Sequence, residues 1–344
     1  MAMNPTHFTI PLFFPQMACP FQCIFCNQEK ITDRGHIPDT EEIMNIIEEH
    51  LSTFPEGPKH VEVGYFGGTF TGMPVPDQEK FLRVAFSYKE KGTIEGIRLS
   101  TRPDFIDEKI LAMLKKFGVT TIELGAQSMD EEVLACSARG HTAEDTVLAS
   151  KMITANGFRL GLQMMVGLPG DDLESDIFTA RRIVELGASE TRIYPLLVIR
   201  GAKLEEWYRS GRYQPLTLDE TVDRLKRIIP VFEEAGVEVA RVGLLTNRGF
   251  LEKELVAGPY HPSIRELAMA EVWWERLKGI EQRAKGEGHR GKGGGVIIKV
   301  HPSQYNFAIG YYGKNRKRLM KSFRDVIFQK NSSLKINEFN FKHS

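Results

Sequence analysis

The sequence predicts an α/β fold, a partial (β/α)6 TIM-like barrel followed by a small basic α+β region. Three observations predict it. Between residues 8 and 198, short apolar runs alternate six times with segments of helical periodicity. The uncommon residues, three clustered cysteines and several glycine-bearing motifs, fall at the ends of those runs, where parallel sheets gather their ligands. Charge is also divided: from residue 281 onward 14 lysines and arginines face 4 carboxylates, in a chain of 344 residues whose formal net charge is zero. The body is acidic and the tail basic.

Each element follows from a local pattern. Residues 8–14 form an apolar run that reads as a buried strand leading directly into the cysteines. Residues 40–50 place apolar side chains at helical spacing behind a capping threonine. Residues 60–66 are the second strand, ending in Gly67-Gly68-Thr69, and 77–91 are helical. The alternation continues with strands at 97–101 and 121–125, each followed by a helix, at 107–117 and from 130. A helix at 142–156, a strand at 159–165, a helix at 173–186 and a strand at 191–198 complete it. Short loops between such units favour parallel strands with right-handed crossovers.

Beyond the sixth strand the pattern loosens into helices at 204–210 and 217–235, a strand at 237–242 and an amphipathic helix at 261–278. Trp273 and Trp274 are expected to pack that last helix against the barrel. Residues 287–295 are a glycine-rich linker. The expected divisions are 1–205 for the barrel, 206–284 for an extension packing on it, and 285–344 for a basic subdomain.

With 42% hydrophobic and 26% charged residues the composition is that of an ordinary globular protein. No run of eighteen apolar residues occurs, and residues 1–10 lack a charged-then-apolar leader. The expectation is a soluble cytoplasmic protein with no membrane partner.

Three of the four cysteines, Cys19, Cys23 and Cys26, are spaced Cys-x3-Cys-x2-Cys, and the fourth, Cys136, is far off. Four thiolates would cap every iron of a four-iron cluster; three leave one iron open to a small molecule. The same open position separates catalytic from structural zinc sites. A zinc site completed by His36 or His60 stays open as an alternative. A disulfide is disfavoured, because three close thiols leave one unpaired in a cysteine-poor chain. Cys136 reads as a spectator.

The Cys-x3-Cys-x2-Cys loop, with Phe25 just before its last cysteine, resembles the radical S-adenosylmethionine (SAM) superfamily. Further motifs are similar to the radical SAM half of the Elongator catalytic subunit, which modifies the wobble uridine of tRNA. These are Gly67-Gly-Thr-Phe-Thr71, Thr101-Arg-Pro-Asp104, Glu123-Leu-Gly-Ala-Gln-Ser128, Arg139-Gly-His-Thr142, Met164-Met-Val-Gly-Leu-Pro-Gly170 and Ile193-Tyr-Pro-Leu-Leu-Val-Ile-Arg-Gly201. The resemblance covers residues 8–245. It implies that Cys19, Cys23 and Cys26 hold a [4Fe–4S] cluster whose fourth iron takes the amino and carboxylate groups of SAM. An electron from a flavodoxin- or ferredoxin-type donor would then release a 5′-deoxyadenosyl radical that abstracts hydrogen from substrate.

The resemblance also implies SAM contacts. Gly67 and Gly68 would let backbone approach the methionyl amino group; Thr69 stands where many superfamily members carry glutamate and matches the Elongator-like branch. Phe25 would touch adenine, Ser100, Arg102, Glu123, Gln127 and Ser128 would line the ribose and carboxylate region, and Met165 and Gly167 would form an apolar floor. Singly, several of these motifs read as structure: Arg139-Gly-His141, for example, as a turn with solvated charges. About a hundred residues follow the resemblance, too few for Elongator's acetyltransferase domain, so acetyl transfer is not carried over. Tyr194, Tyr260 and Cys136 are candidates by chemistry for a radical relay.

In the basic tail, Ile309-Gly-Tyr-Tyr-Gly313 followed by Lys314, Arg316, Lys317 and Arg318 looks like the loop with which KH domains clamp a nucleic-acid backbone. Those four cations are candidates for phosphate contacts, with Tyr305, Phe307, Tyr311 and Tyr312 as stacking partners; a basic, solvated subdomain is the plainer reading. The favoured substrate is RNA, with tRNA first. Two alternatives remain: the same chemistry on a small molecule or protein, and a non-catalytic iron–sulfur or zinc protein that binds RNA.

Overall fold

The computed structural model describes residues 6–14, 23–27, 36–244, 248–280 and 294–343. The chain divides into two compact units, residues 1–217 with 231–259, and 218–230 with 260–344.

The first unit is built on a seven-stranded parallel sheet curled into a half-barrel. In chain order its elements are β1 (Thr6–Phe14), α1 (Thr40–Thr53), β2 (Lys59–Gly67), α2 (Val75–Glu90), β3 (Gly96–Thr101), α3 (Glu108–Lys116) and β4 (Thr121–Gln127). They continue through α4 (Glu131–Cys136), α5 (Ala143–Ala155), β5 (Arg159–Val166), α6 (Leu173–Glu185) and β6 (Glu190–Pro195). A two-residue β7 (Val198–Ile199), α7 (Lys203–Arg209), α8 (Leu218–Glu234), of which residues 218–230 belong to the second unit, β8 (Glu238–Val242), α9 (Arg248–Lys253) and β9 (Leu255–Ala257) follow. The sheet runs β1-β2-β3-β4-β5-β6-β8. The six expected strands are present, and the strand expected at 237–242 joins the same sheet as its seventh member, pairing with β6.

Side chains with local chemistry start the helices. On α1 it is Asp39, one residue before the threonine expected to cap it, that forms the reciprocal cap with Glu42; Thr142 with Asp145 on α5 and Asp172 with Ser175 on α6 cap in the same way. The central strands are buried almost end to end, as expected for a sheet covered by helices. By contrast β1 is exposed at its start and buried at Ile10, Leu12 and Phe14, so it becomes core only as it nears the cysteine loop.

The concave face carries charge. Arg98 on β3 donates to Glu123 on β4 (2.9 Å) and Glu62 on β2 (3.1 Å), and pairs with Glu190 on β6. Arg192 on β6 donates to Glu123 (3.2 Å), as does Gln163 on β5 (3.0 Å). Arg98, Glu62, Glu123 and Glu190 are all buried. Two glycines make the space: a Cβ on Gly96 would lie 2.6 Å from Glu62 Oε1, and one on Gly161 would lie 2.9 Å from Glu123 Cγ. The carboxylates hold the Arg98 guanidinium above its ordinary value although burial opposes them; burial wins at Glu190, whose carboxyl is raised despite Arg98.

The second unit contains α10 (Ile264–Leu277), β10 (Gly295–Val300), α11 (Tyr305–Ile309), α12 (Lys314–Leu319), β11 (Asp325–Lys330) and β12 (Phe339–His343). Its sheet is ordered β11-β10-β12, with β10 parallel to β11 and antiparallel to β12. Trp273 is fully buried in this unit, donating its indole N–H to Gln304 (2.9 Å) beside Phe339, and Trp274 lies under Arg318.

Removing one member of a buried ion cluster leaves the others uncompensated, at a cost of about 3–5 kcal/mol. Arg98→Met should therefore lower unfolding free energy by about that much in urea titrations. Arg182→Met, which breaks the surface pair with Glu185, should cost under about 1 kcal/mol. Equal losses would show that the cluster does not hold the sheet.

Candidate cofactor site

The site lies at the carboxyl ends of the strands. Its first wall is the cysteine loop, of which Cys23 to Asn27 are described; Cys19 lies outside the described residues. The loop is tied to two elements by one residue. Ile24 donates its N–H to Ser137 at the end of α4 (3.2 Å) and accepts from the N–H of Leu204 in α7 (2.7 Å). Its side chain sits in an apolar cluster with Val133, Leu168, Leu196, Val198 and Tyr213, and Phe25 and Met165 pack against that cluster. Cys23 is buried and Cys26 half-buried, with the Cys26 N–H donated to the Cys23 carbonyl (3.0 Å).

Strand β2 supplies the second wall. Gly67 has φ +104°, and a Cβ there would stand 2.1 Å from the Phe14 carbonyl oxygen, so only glycine lets β2 end this close to β1. The Gly68 N–H bonds that same oxygen (3.1 Å). Buried Gln78 braces the turn, donating to the carbonyls of Thr71 (3.0 Å) and Met73 (2.6 Å). Thr71 and Thr101 share a hydrogen bond of 2.6 Å that joins this turn to the end of β3.

Strand β4 supplies the third. The β4–β5 register shifts between Leu124 and Gln127, and Gln127 takes a left-handed φ of +67°. A non-glycine residue held there stores strain of the kind found at functional sites. Gln127 Oε1 is buried and has no hydrogen-bond partner. Arg139, after α4, donates Nη2–H to the Gly125 carbonyl (2.5 Å) and Nη1–H to Cys23 Sγ (3.3 Å); its Nε is buried without a partner. A Cβ on Gly125 would crowd both Arg139 and Gln127 at 3.0 Å.

Together these walls line one cleft. Of the candidates, Cys23, Phe25, Cys26, Gly67, Gly68, Thr69, Ser100, Arg102 and Gln127 line it. Four others stand back. Glu123 lies one layer below, within the Arg98 cluster, reaching the cleft through Gln163. Ser128 bonds Thr179 of α6 (3.3 Å), Met165 packs in the Ile24 cluster, and Gly167 accepts from the Tyr213 hydroxyl (2.7 Å) and donates to Asp171 (2.6 Å). Thr101, Gly125, Arg139 and Gln163 line the cleft without having been singled out as site residues. Arg139 and His141 are buried, so the turn with solvated charges does not hold.

A profile of the radical SAM superfamily matches residues 14–183, and one of the radical SAM C-terminal domain matches residues 189–276. The chain is a radical SAM enzyme. Elongator complex protein 3 of Schizosaccharomyces pombe is 30% identical over 279 residues, 80% of this chain and 49% of its own length. A tRNA uridine(34) acetyltransferase of Methanocaldococcus jannaschii is 31% identical over 193 residues, 49% of this chain and 36% of its own length. The solved structure of Methanocaldococcus infernus Elp3 with an N-terminal deletion superposes with a TM-score of 0.62 at 20% identity, over 84% of this chain and 65% of that one, which shows the fold. This radical SAM domain thus closely resembles that of the Elongator catalytic subunit, and the chain spans half or less of the length of the two curated relatives named.

The cofactors of this enzyme class are a [4Fe–4S] cluster and SAM. The residues present fit them: two thiols of the loop face the cleft, glycine backbone opens it, and the partnerless Gln127 Oε1 and Arg139 Nε are buried polar atoms awaiting a ligand. The histidines of the zinc alternative are placed elsewhere. His36 bonds Glu42 of the α1 cap (3.1 Å), and His60 stacks on His7 at the opposite end of β1 and β2, about 23 Å of strand away from Gly67. Of the relay candidates, Tyr194 is on β6 beside Arg192, with burial raising its phenol above the ordinary value, and Cys136 is exposed.

Burial, with Arg139 and Arg102 nearby, pushes His141 down to about 3. A folded value below the unfolded one gives stability that is full above about pH 6.5 and is lost as pH falls toward 3. Wild type should therefore lose about 1.4 kcal/mol per pH unit across that window relative to His141→Leu. Parallel stability–pH curves for the two proteins would remove His141 as the cause.

Proposed function

We propose that this chain cleaves SAM reductively and uses the radical to modify an RNA, with a tRNA as the favoured substrate. The chemistry rests on one observation: Cys23 and Cys26, the Gly67-Gly68 turn, and the partnerless atoms of Gln127 and Arg139 meet in a single cleft. The substrate rests on the relatives, whose names specify tRNA uridine(34) acetyltransferase and Elongator complex protein 3, and on the basic tail. Neither acetyl transfer nor a particular modified base is part of the proposal.

When bound, the cluster supplies the electron that splits the sulfonium carbon–sulfur bond of SAM, yielding a 5′-deoxyadenosyl radical able to abstract hydrogen. Cys19, Cys23 and Cys26 would hold the cluster. Gly67 and Gly68 would let backbone reach the methionyl group, Phe25 would cover adenine, and Ser100, Arg102 and Gln127 would hold the ribose and carboxylate. Arg139 holds its Nη1–H against the Cys23 sulfur and so fixes where that ligand points. Gln163 and Ser100, hydrogen-bonded at 3.3 Å, cap the Arg98 cluster and keep the floor of the cleft polar. The reducing partner would be of the flavodoxin or ferredoxin type, and the setting cytoplasmic; among the described residues no helix is long and apolar enough to cross a membrane.

After anaerobic reconstitution with iron and sulfide, the wild-type chain plus dithionite should form 5′-deoxyadenosine, and Cys23→Ala should lose both bound iron and this product. Normal iron content and cleavage in that variant would overturn the chemistry. Gln127→Gly offers a finer check: it relieves the left-handed strain, so melting temperature should hold or rise, while SAM affinity falls by about tenfold, the value of one lost hydrogen bond to a charged group. Unchanged affinity would remove Gln127 from the site.

A further inference from the structure

The second unit contains a feature that its own stability does not explain. Tyr312 is 83% exposed, the most exposed large hydrophobic residue described, yet its backbone sits in the left-handed region at φ +50°. An aromatic residue in that region is strained, and a solvent-facing ring recovers nothing by burial. Such strain persists where the surroundings impose it, and it marks functional segments.

The surroundings here are rigid. Gly310 (φ +84°) and Gly313 (φ +71°) bracket Tyr311 and Tyr312, and the Gly313 N–H closes the turn on the Gly310 carbonyl (2.8 Å). A Cβ on Gly310 would stand 2.8 Å from the Asn315 backbone nitrogen. Buried Asn315 anchors the base of the turn to the Ala270 carbonyl on α10 (2.7 Å). Tyr311 supports Tyr312 edge-on at 4.6 Å and is itself met edge-on by His261 at 5.6 Å. The ring is thus held out on a fixed turn.

The charge around it has one sign. Between residues 294 and 343 ten lysines and arginines face two carboxylates. Two of the four cations picked out by sequence have structural duties: Lys314 and Arg318 both pair with Glu271 on α10, at 2.7 and 2.9 Å. Their hydrogen bonds hold that carboxyl below its usual value against the opposing effect of burial. Arg316 uses only its Nε, on the Val326 carbonyl (3.0 Å), and is otherwise exposed; Lys317 is exposed with no ion-pair partner among the described residues. The element order is strand, helix, Gly-x-x-Gly turn, helix, strand, with the two strands adjacent and parallel. That order resembles the nucleic-acid-binding core of KH modules, whose Gly-x-x-Gly turn clamps a short stretch of backbone.

We propose that this turn is a clamp for single-stranded RNA, with Tyr312 stacking on an unpaired base and Arg316 and Lys317 holding the adjoining phosphates. The proposal deepens the RNA reading above and rests on it for the choice of RNA. A lone projecting ring suits an unstacked base; in a duplex the base faces are already covered. The preset turn spares the ordering cost that a flexible loop would incur on binding.

The test measures binding of the full chain to a fluorescein-labelled 12-nucleotide oligouridine by anisotropy, with the same strand in a duplex as comparison. Tyr312→Gly removes both ring and strain, so the fold should melt no lower, while affinity for the single strand should fall at least about fivefold. Tyr312→Phe should bind as wild type. Lys317→Ala should lower the slope of log affinity against log salt by about 0.7, one phosphate's share on a single strand. Unchanged affinity in Tyr312→Gly, an unchanged salt slope in Lys317→Ala, or duplex bound as tightly as single strand would each overturn the clamp. 5′-Deoxyadenosine formation is read on the same preparation, so a chain that cleaves SAM but ignores RNA fails this proposal without failing the SAM chemistry.

Discussion

The half-barrel depends on the buried ion cluster centred on Arg98. One guanidinium reaches carboxylates from β2, β4 and β6, so five neighbouring strands, β2 to β6, are fixed by a single charge-assisted network with Arg192 and Gln163. Hydrogen-bonded ladders alone allow a strand to slip by two residues without exchanging its faces. Four charged residues from four strands meeting at one point do not. Register fixed there fixes what lies two and four residues further along each strand: Ser100 beyond Arg98, Gly125 and Gln127 beyond Glu123, Arg192 beyond Glu190. The rim is assembled from below.

The rim then departs from regular structure in specific places. Gly67 lets β2 finish against the Phe14 carbonyl, and the β4 bulge turns Gln127 toward the cleft at the expense of a left-handed backbone. Ile24 fixes the cysteine loop between α4 and α7 through two backbone hydrogen bonds and an apolar cluster. Arg139 links these parts, touching the Gly125 carbonyl and the Cys23 sulfur. Strain, buried partnerless polar atoms and a cysteine loop coincide in one cleft, a combination that stability alone does not favour.

Much of this was legible in the sequence, for physical reasons. Strands such as β3 and β4 alternate apolar with polar side chains, and capping pairs such as Thr142 with Asp145 announce helix starts. Motifs at strand ends converge because parallel topology makes them converge. What was hidden depends on contacts distant along the chain. Glu123 was expected in the cleft and sits beneath it, because its partner Arg98 is 25 residues earlier and pulls it into the cluster. Arg139 reads as a surface turn until its thiol partner, 116 residues earlier, is in place. Lys314 and Arg318 look like free phosphate ligands, yet Glu271 holds both. Local pattern identifies elements and their ends; long-range charge pairing decides which side chains remain for ligands.

The central claim is that the strand-end cleft presents an open iron to SAM. The most direct measurement is the electron paramagnetic resonance spectrum of the reduced, reconstituted protein before and after addition of SAM. The account predicts that SAM shifts the cluster signal of the wild-type protein, and that Cys23→Ala protein treated in the same way gives no such cluster signal. A full cluster signal that SAM leaves unaltered would mean that every iron is already capped, and would contradict the account.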